Sequence, residues 1–378
     1  MVAEKSKVYR ILQVGMSDNY GGTEATVYSL YEKIDRSQLQ FDFLNVYGHP
    51  IAKQDNLLSL GARVFDLPLK RREGYHRYLS GIRNFYQAHA KEFNAVVCNV
   101  QCLDQIDMAR FAKKYGIKNV LIYSHNAGYG ILPSRLAKIA IWWNKKTCHH
   151  YVDHCVACSQ MAADFVFSKK DAKKAQVINT GIETSHFLFD SKKRQEFRSQ
   201  FGYSPEDHVY GSAGRFDPQK NQLFLIDVFS EIAQQDPHAR FFLSGRGPLE
   251  TRIREKIKEK NLESVCLVIT DFLDYQAFYS GLDIFILPSV FEGLGVVLIE
   301  AQCAGLPCLA SAGTVPTEAK ILPNFVYVHL QDGPKVWAEH AIASLKDNSF
   351  DRLLGLASVR QAGRDIADTS KIYERLFL

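Results

Sequence analysis

Pro288-Ser289-Val290-Phe291-Glu292-Gly293-Leu294-Gly295-Val296-Val297-Leu298-Ile299-Glu300 is the stretch around which the chain is organised. The run Asp283-Ile284-Phe285-Ile286-Leu287 leads into it. Short, rich in Ile and Phe and closed by Pro288, that run reads as a buried parallel strand. A loop with two glycines follows. Val296 to Ala304 then reads as a helix stopped by Gly305 and Pro307. Strand, glycine loop and helix N-terminus make an anion site, because N–H groups without helical partners and the helix dipole both point there. The backbone of Gly293, Leu294, Gly295 and Val296 supplies the donors. Two carboxylates flank them. Glu292 lies in the loop, and Glu300 stands on the helix, roughly 8 Å past Gly295 along the axis. Ionised carboxylates only accept hydrogen bonds, so they suit hydroxyl groups. A ligand with hydroxyls at both ends and phosphate between them fits, and a nucleotide-sugar is such a ligand. The plainer alternative is a strand-to-helix unit with a solvated Glu300.

Composition bounds the answer. The 378 residues suffice for two domains with a core each, and 46% hydrophobic content is ordinary for a soluble protein. No apolar run reaches the roughly eighteen residues a membrane span needs. Met1 to Lys7 is polar, and the apolar segment after it is broken by Gln13, too short for a signal peptide; the expected compartment is the cytoplasm. Eight cysteines spread through apolar segments fit reduced thiols better than a disulfide framework. Residues 1–185 carry 25 Lys+Arg and 16 Asp+Glu, a net of +9; the whole chain is +5, leaving −4 for 186–378. A basic first half suggests an anionic surface as partner, nucleic acid or anionic lipid. The basic residues are not interleaved with an RNA-binding signature. They include Lys70-Arg71-Arg72 and a predicted helix from Pro133 to Thr147. There Arg135, Lys138, Lys145 and Lys146 stand beside Ile139, Ile141, Trp142 and Trp143. That pattern suits a membrane interface. A partly buried surface helix is the plainer reading of the same pattern.

The rest of the chain alternates. Predicted strands lie at Tyr9–Gly15, Phe41–Val46, Ala62–Leu67, Ala95–Asn99, Val120–Ser124 and Val152–Ser159. In the second half they lie at His208–Gly214, from Arg240, at Ser264–Ile269, Pro307–Ser311 and Phe325–Val328. Helical patterns fall between them, including about Ala25 to Ile34 and from Gln222. Such alternation implies doubly wound parallel sheets with ligands at the carboxyl ends of strands. Gly21-Gly22-Thr23-Glu24 is either a loop that lets backbone approach a ligand or a turn with Thr23 as helix cap. His149, His150, His154, Cys155 and Cys158 invite a zinc reading. On a strand, however, Cys155 and Cys158 point to opposite faces, so metal is not expected.

Glu292 and Glu300, with seven residues between them, resemble the E-x7-E signature of retaining GT-B glycosyltransferases, in particular the large family 4 (GT4). Pro288-Ser289, Phe291 to Gly295 and Glu300-Ala301 match that family's wording. So do Gly21-Gly22-Thr23-Glu24 (G-G-x-E), Gly214 to Asn221 (G-R-x-x-x-Q-K-N) and His125 after its strand. The family usually has Asn-Gly-Ile/Val where this chain has Thr180-Gly181-Ile182, and often a small or acidic residue where Arg246 follows Gly245. The resemblance implies an α/β GT-B fold of two Rossmann-like domains facing a cleft. Residues 1–185 would be the acceptor side, 186–365 the donor side, and 366–378 a helix crossing back. It implies a nucleotide-sugar donor, a UDP-sugar, and a saccharide or lipid-linked saccharide acceptor. Gly21 and Gly22 would face the diphosphate, Arg215 and Lys220 would bind it, Gly245 would lie in the donor turn and Thr270 would face the base. Glu300 would hold the ribose, and Glu292 and His125 the sugar. No metal, other cofactor or nucleic acid is implied, while an anionic membrane surface is. A nucleotide-sugar epimerase, an inverting GT-B enzyme and a non-catalytic nucleotide-sugar binder are the competing classes.

Overall fold

The computed structural model describes residues 8–69, 74–270, 274–347 and 350–378; Lys70-Arg71-Arg72 lies outside them. Among the described residues every strand pairing is parallel. Two units divide the chain: Met1–Gly181 with Ile366–Leu378, and Ile182–Asp365. The chain thus leaves unit one at Gly181, four residues before the expected boundary at Ser185. Local pairing explains this: Ile182 N donates to Arg364 O at 2.9 Å, and the Thr184 hydroxyl bonds Asp365. The last helix is Ile366–Glu374.

Unit one holds β1 (Tyr9–Val14), β2 (Leu39–Asn45), β3 (Val64–Asp66), β4 (Ala95–Val100), β5 (Asn119–Ser124), β6 (His154–Ala157) and β7 (Gln176–Val177), in the order β3-β2-β1-β4-β5-β6-β7. The alternation Phe41-Asp42-Phe43 does not mark a wet face. All three residues are fully buried, and the Asp42 carboxylate is held by Arg10 and Arg63. Unit two holds β8 (His208–Ala213), β9 (Ala239–Ser244), β10 (Cys266–Ile269), β11 (Ile284–Leu287), β12 (Cys308–Ser311) and β13 (Phe325–Val328), in the order β10-β9-β8-β11-β12-β13. Along β11, Ile284 and Ile286 join one hydrophobic cluster while Phe285 and Leu287 join the other. Phe241 and Phe242 of β9 divide the same way. Both faces of the sheet are therefore core, as the unbroken apolar runs require.

In each unit the strand order reverses once, between β1 and β4 and between β8 and β11. Crevices at such switch points, off the carboxyl ends of the strands, are where doubly wound sheets bind ligands. The organising stretch leaves β11 at that point. Its helix, Val296–Cys303, ends in a Schellman motif: Leu306 N donates to Ala301 O and Gly305 N to Gln302 O, with Gly305 at φ +67°. A Cβ on Gly305 would also lie 2.4 Å from Arg352 Cα.

Gly305→Ala is therefore expected to lower stability by more than the about 1–2 kcal/mol that a left-handed backbone alone costs a residue with a side chain. Urea unfolding checks this. A loss no larger than that would show that the Arg352 segment yields freely.

Candidate active site

In unit two, two loops meet at the switch point. The first follows β8. Gly214 N extends the ladder to Ser244 O. Asp217, buried, accepts from Arg215 Nε and from the backbone of Lys220. Gln222 Nε2 closes the turn on Arg215 O at 2.8 Å. Gly245 lies where a Cβ would sit 2.0 Å from Gly214 O, so it is glycine because two loop backbones touch there. The second loop is the organising stretch. Val290 N donates to Gln219 O, Gln219 Nε2 to Phe291 O, and Glu292 N to Thr314 O. The first two bonds staple the two loops together, and the third ties the second loop to the segment after β12.

Across the staple the Lys220 ammonium reaches Glu292 Oε1 at 2.6 Å, and Ser289 Oγ donates to the same oxygen at 2.6 Å. Glu292 is 5% exposed. Gly295, in the left-handed region at φ +82°, caps the helix and gives no side chain to its first N–H groups. One turn on, Glu300 accepts from the Tyr279 hydroxyl at 2.6 Å. Glu300 retains some accessible surface, yet burial pushes its carboxyl up to about 7; the Tyr279 hydrogen bond and the Lys220 charge pull it back down. Lys220, Glu292 and Glu300 therefore form one electrostatic group. Arg215 stands outside it, 64% exposed and paired with Asp217. Thr270 lies just past β10, half-buried.

In unit one the helix Gly22–Lys33 starts from Gly21. Thr23 is not the cap; its hydroxyl accepts from Gln101 Nε2 at 3.1 Å. Glu24 reaches back instead, accepting from Gly21 N, Ser17 N and Ser17 Oγ. A Cβ on Gly22 would meet nothing within 4 Å, so the loop's outer face is open. His125 follows β5, its Nε2 2.8 Å from Asn99 Oδ1, and burial pushes its pKa down to about 3. It is neutral. Thr180 is buried, with its hydroxyl beside that of Tyr123. Among the described residues no group of three or more His, Cys, Asp or Glu is set to hold a metal. No helix among them is long and apolar enough to cross a membrane.

The family description "Glycosyl transferases group 1" matches residues 193–353, and "Glycosyltransferase Family 4" matches 20–186. Together they cover most of both units, including Gly21, His125, Lys220 and the Pro288–Gly295 loop. The chain belongs to the GT-B glycosyltransferases. This glycosyltransferase is 27% identical over 332 residues to a putative glycosyltransferase, EpsF, of Bacillus subtilis, covering 87% of this chain and 86% of that one. It is 22% identical over 324 residues to the Escherichia coli UDP-Gal:alpha-D-GlcNAc-diphosphoundecaprenol alpha-1,3-galactosyltransferase, covering 82% and 81%. Among solved structures, Anabaena Alr3699/HepE in complex with UDP and glucose superposes with a TM-score of 0.76 at 17% identity, covering 97% of this chain and 99% of that one.

In this glycosyltransferase the structure brings Lys220, Glu292 and Glu300 together, and Lys220 pairs with the Glu292 carboxylate. A cation expected to serve the ligand alone also neutralises a buried carboxylate, so its removal is not neutral to the fold. Sequence reasoning missed Ser289 and Tyr279, the two hydroxyls that orient the glutamates. Ser289 lay inside the quoted stretch; Tyr279, on the helix Tyr275–Gly281, gave no motif signal.

Breaking a buried pair by removing one partner costs about 3–5 kcal/mol. Lys220→Met is expected to destabilise on the order of that amount, and Lys220→Met with Glu292→Gln clearly less. Urea unfolding of both single variants, Lys220→Met and Glu292→Gln, and of the double reads the coupling; strict additivity would mean that the pair contributes nothing.

Proposed function

We propose that this enzyme is a retaining glycosyltransferase that moves a sugar from a UDP-sugar to a saccharide acceptor carried on lipid, in polysaccharide or glycan synthesis. The observation that carries the reading is the Lys220–Glu292–Glu300 group at the switch point of unit two, beside a helix N-terminus. The E. coli relative's name, with its UDP-Gal donor and diphosphoundecaprenol acceptor, and the UDP in the superposed structure support the donor and acceptor classes.

In this reading the diphosphate lies at the Val296 helix N-terminus. Lys220 has three N–H donors, of which Glu292 uses one, so it reaches phosphate without releasing the carboxylate. Arg215, exposed and jointed, adds a forked contact. Together they stabilise the charge that grows on the leaving diphosphate, and no metal takes part. The bond from the anomeric carbon to phosphate oxygen breaks with its electron pair on the phosphate. The acceptor oxygen bonds to that carbon on the same face, and its proton passes to the departing phosphate oxygen. Glu292 and His125 hold sugar hydroxyls, Glu300 the ribose hydroxyls, and Thr270 lies by the base.

The ribose contact requires Glu300 ionised, and in the free protein its carboxyl is at about 7. UDP-glucose, whose diphosphate does not titrate in this range, should then bind about tenfold more weakly at pH 6 than at its high-pH plateau. Glu300→Gln should flatten the profile. Titration calorimetry with UDP-, GDP- and ADP-sugars in EDTA tests donor class and metal independence together. A requirement for Mg²⁺ or Mn²⁺ would overturn the charge assignment. A β-linked product from an α-linked donor would favour an inverting enzyme, and donor epimerised without transfer an epimerase.

A lipid-carried acceptor calls for a membrane-facing surface, and an exposed apolar and basic face of unit one supports that role. On the helix Arg135–Thr147 and the residues before it, Ile131 is 90%, Leu132 80%, Leu136 79%, Ile139 62%, Trp142 54% and Trp143 55% exposed. Arg135, Lys138 and Lys146 are exposed beside them. Lys145 is not part of this surface: it is half-buried, donates to Phe165 O, and burial lowers its pKa. An anionic bilayer matches that mixture, each cation adding about 1 kcal/mol that salt screens. Vesicle sedimentation should show binding to anionic but not neutral vesicles, weakened by salt, by Trp142→Ala and by Lys138→Glu. Equal partitioning to both vesicle types, or to neither, removes the membrane role.

A further inference from the structure

Gln13 is the penultimate residue of β1 and is 1% exposed, an amide where a parallel core strand ordinarily carries an aliphatic side chain. Its partners account for it. Asn99, near the end of β4, points Nδ2 at Val14 O, 3.2 Å away, and at Gln13 Oε1, 3.0 Å away. A backbone carbonyl can only accept, so the Asn99 amide has one possible orientation, with Oδ1 turned to His125 Nε2 at 2.8 Å. Oδ1 also only accepts, so Nε2 must carry a proton. In a neutral imidazole the lone pair then sits on Nδ1. On the far side, Gln13 Nε2 donates to the Tyr373 hydroxyl at 3.1 Å. Tyr373 is buried on the helix Ile366–Glu374, its ring 5.8 Å from that of Phe41 and 5.3 Å from that of Phe377. The Tyr123 ring lies 4.1 Å from the His125 ring, so the imidazole is held by its face as well as by its edge.

We propose that Asn99, Gln13 and Tyr373 are positioning residues that fix His125 as its Nε2–H tautomer, leaving Nδ1 to accept a hydrogen bond from a hydroxyl of the transferred sugar. The inference rests on the reading that His125 meets that sugar. It adds a rule of selection: the donor sugar must present a hydroxyl there, and hydrogen or fluorine in its place leaves the Nδ1 lone pair unmet.

The test begins with the full chain labelled with ¹⁵N-histidine, its tautomers read by two-bond ¹H–¹⁵N correlation and His125 identified by the signals lost in His125→Gln. A protonated Nε2 with an unprotonated Nδ1, unchanged from pH 8 to pH 5.5, is expected. An Nδ1–H form, or an imidazolium appearing in that range, overturns the proposal. Asn99→Leu should mix the tautomers and lower kcat/KM on the UDP-sugar that calorimetry selects by roughly ten- to a hundredfold, the scale of displacing a reacting contact by about 1 Å. Asn99→Asp keeps an acceptor facing Nε2 but sets a second oxygen against Val14 O, so it should hold the tautomer and restore only part of the turnover. Tyr373→Phe, which removes only the hydroxyl that Gln13 uses, should reduce kcat/KM by a smaller factor. Equal losses in Asn99→Leu and Asn99→Asp with the tautomer unchanged would reduce the network to packing. Because the tautomer is read without turnover, an inactive wild-type protein would overturn the transferase reading and leave the tautomer standing.

Discussion

Both faces of each parallel sheet are covered by core, and that constraint governs everything else in the molecule. A sheet buried on both faces offers a ligand only its ends. Loops at the carboxyl ends already carry the N–H groups of helix N-termini, so polar chemistry collects there. In unit two this places the Gly214–Asn221 loop against the Pro288–Gly295 loop. The pair Lys220–Glu292 then becomes the element that sets loop spacing and local charge at once.

The charges around that pair are tuned against one another. Glu292 is held as an acceptor by a cation and a hydroxyl. Glu300, a turn away, has a phenol and only the distant share of Lys220, so burial dominates and its carboxyl sits near neutrality. Two glutamates on one short segment thus meet different partners. Neutral His125 in unit one is a third setting, produced by burial without any charged neighbour.

Much of this was legible in the sequence. The runs Ile284–Leu287 and Val120–Ser124 announce parallel strands because nothing polar interrupts them, and Gly295 and Gly305 bracket their helix as backbone geometry demands. Strand ends were less legible: β6 is four residues where Val152–Ser159 suggested eight, since pairing with β5 and β7 decides where a ladder stops. The polar residues buried inside strands were hidden altogether. Asp42 reads as the wet side of an alternating strand until Arg10 and Arg63 are seen around it. Gln13 reads as an interruption until Asn99 and Tyr373 are seen on either side. Their partners are 21 to 360 positions away, and no local pattern encodes such distances.

The return of Ile366–Leu378 to unit one has a consequence for how the protein is made. Unit two is one continuous segment, whereas unit one is assembled from two pieces separated by all of unit two. A ribosome delivers residues 9–181 long before Tyr373, so during synthesis Gln13 waits without its hydroxyl and Phe41 without its ring partner. The unit whose sequence comes first is therefore the last to be finished, and its central strand stays incompletely covered until the second unit has left the exit tunnel.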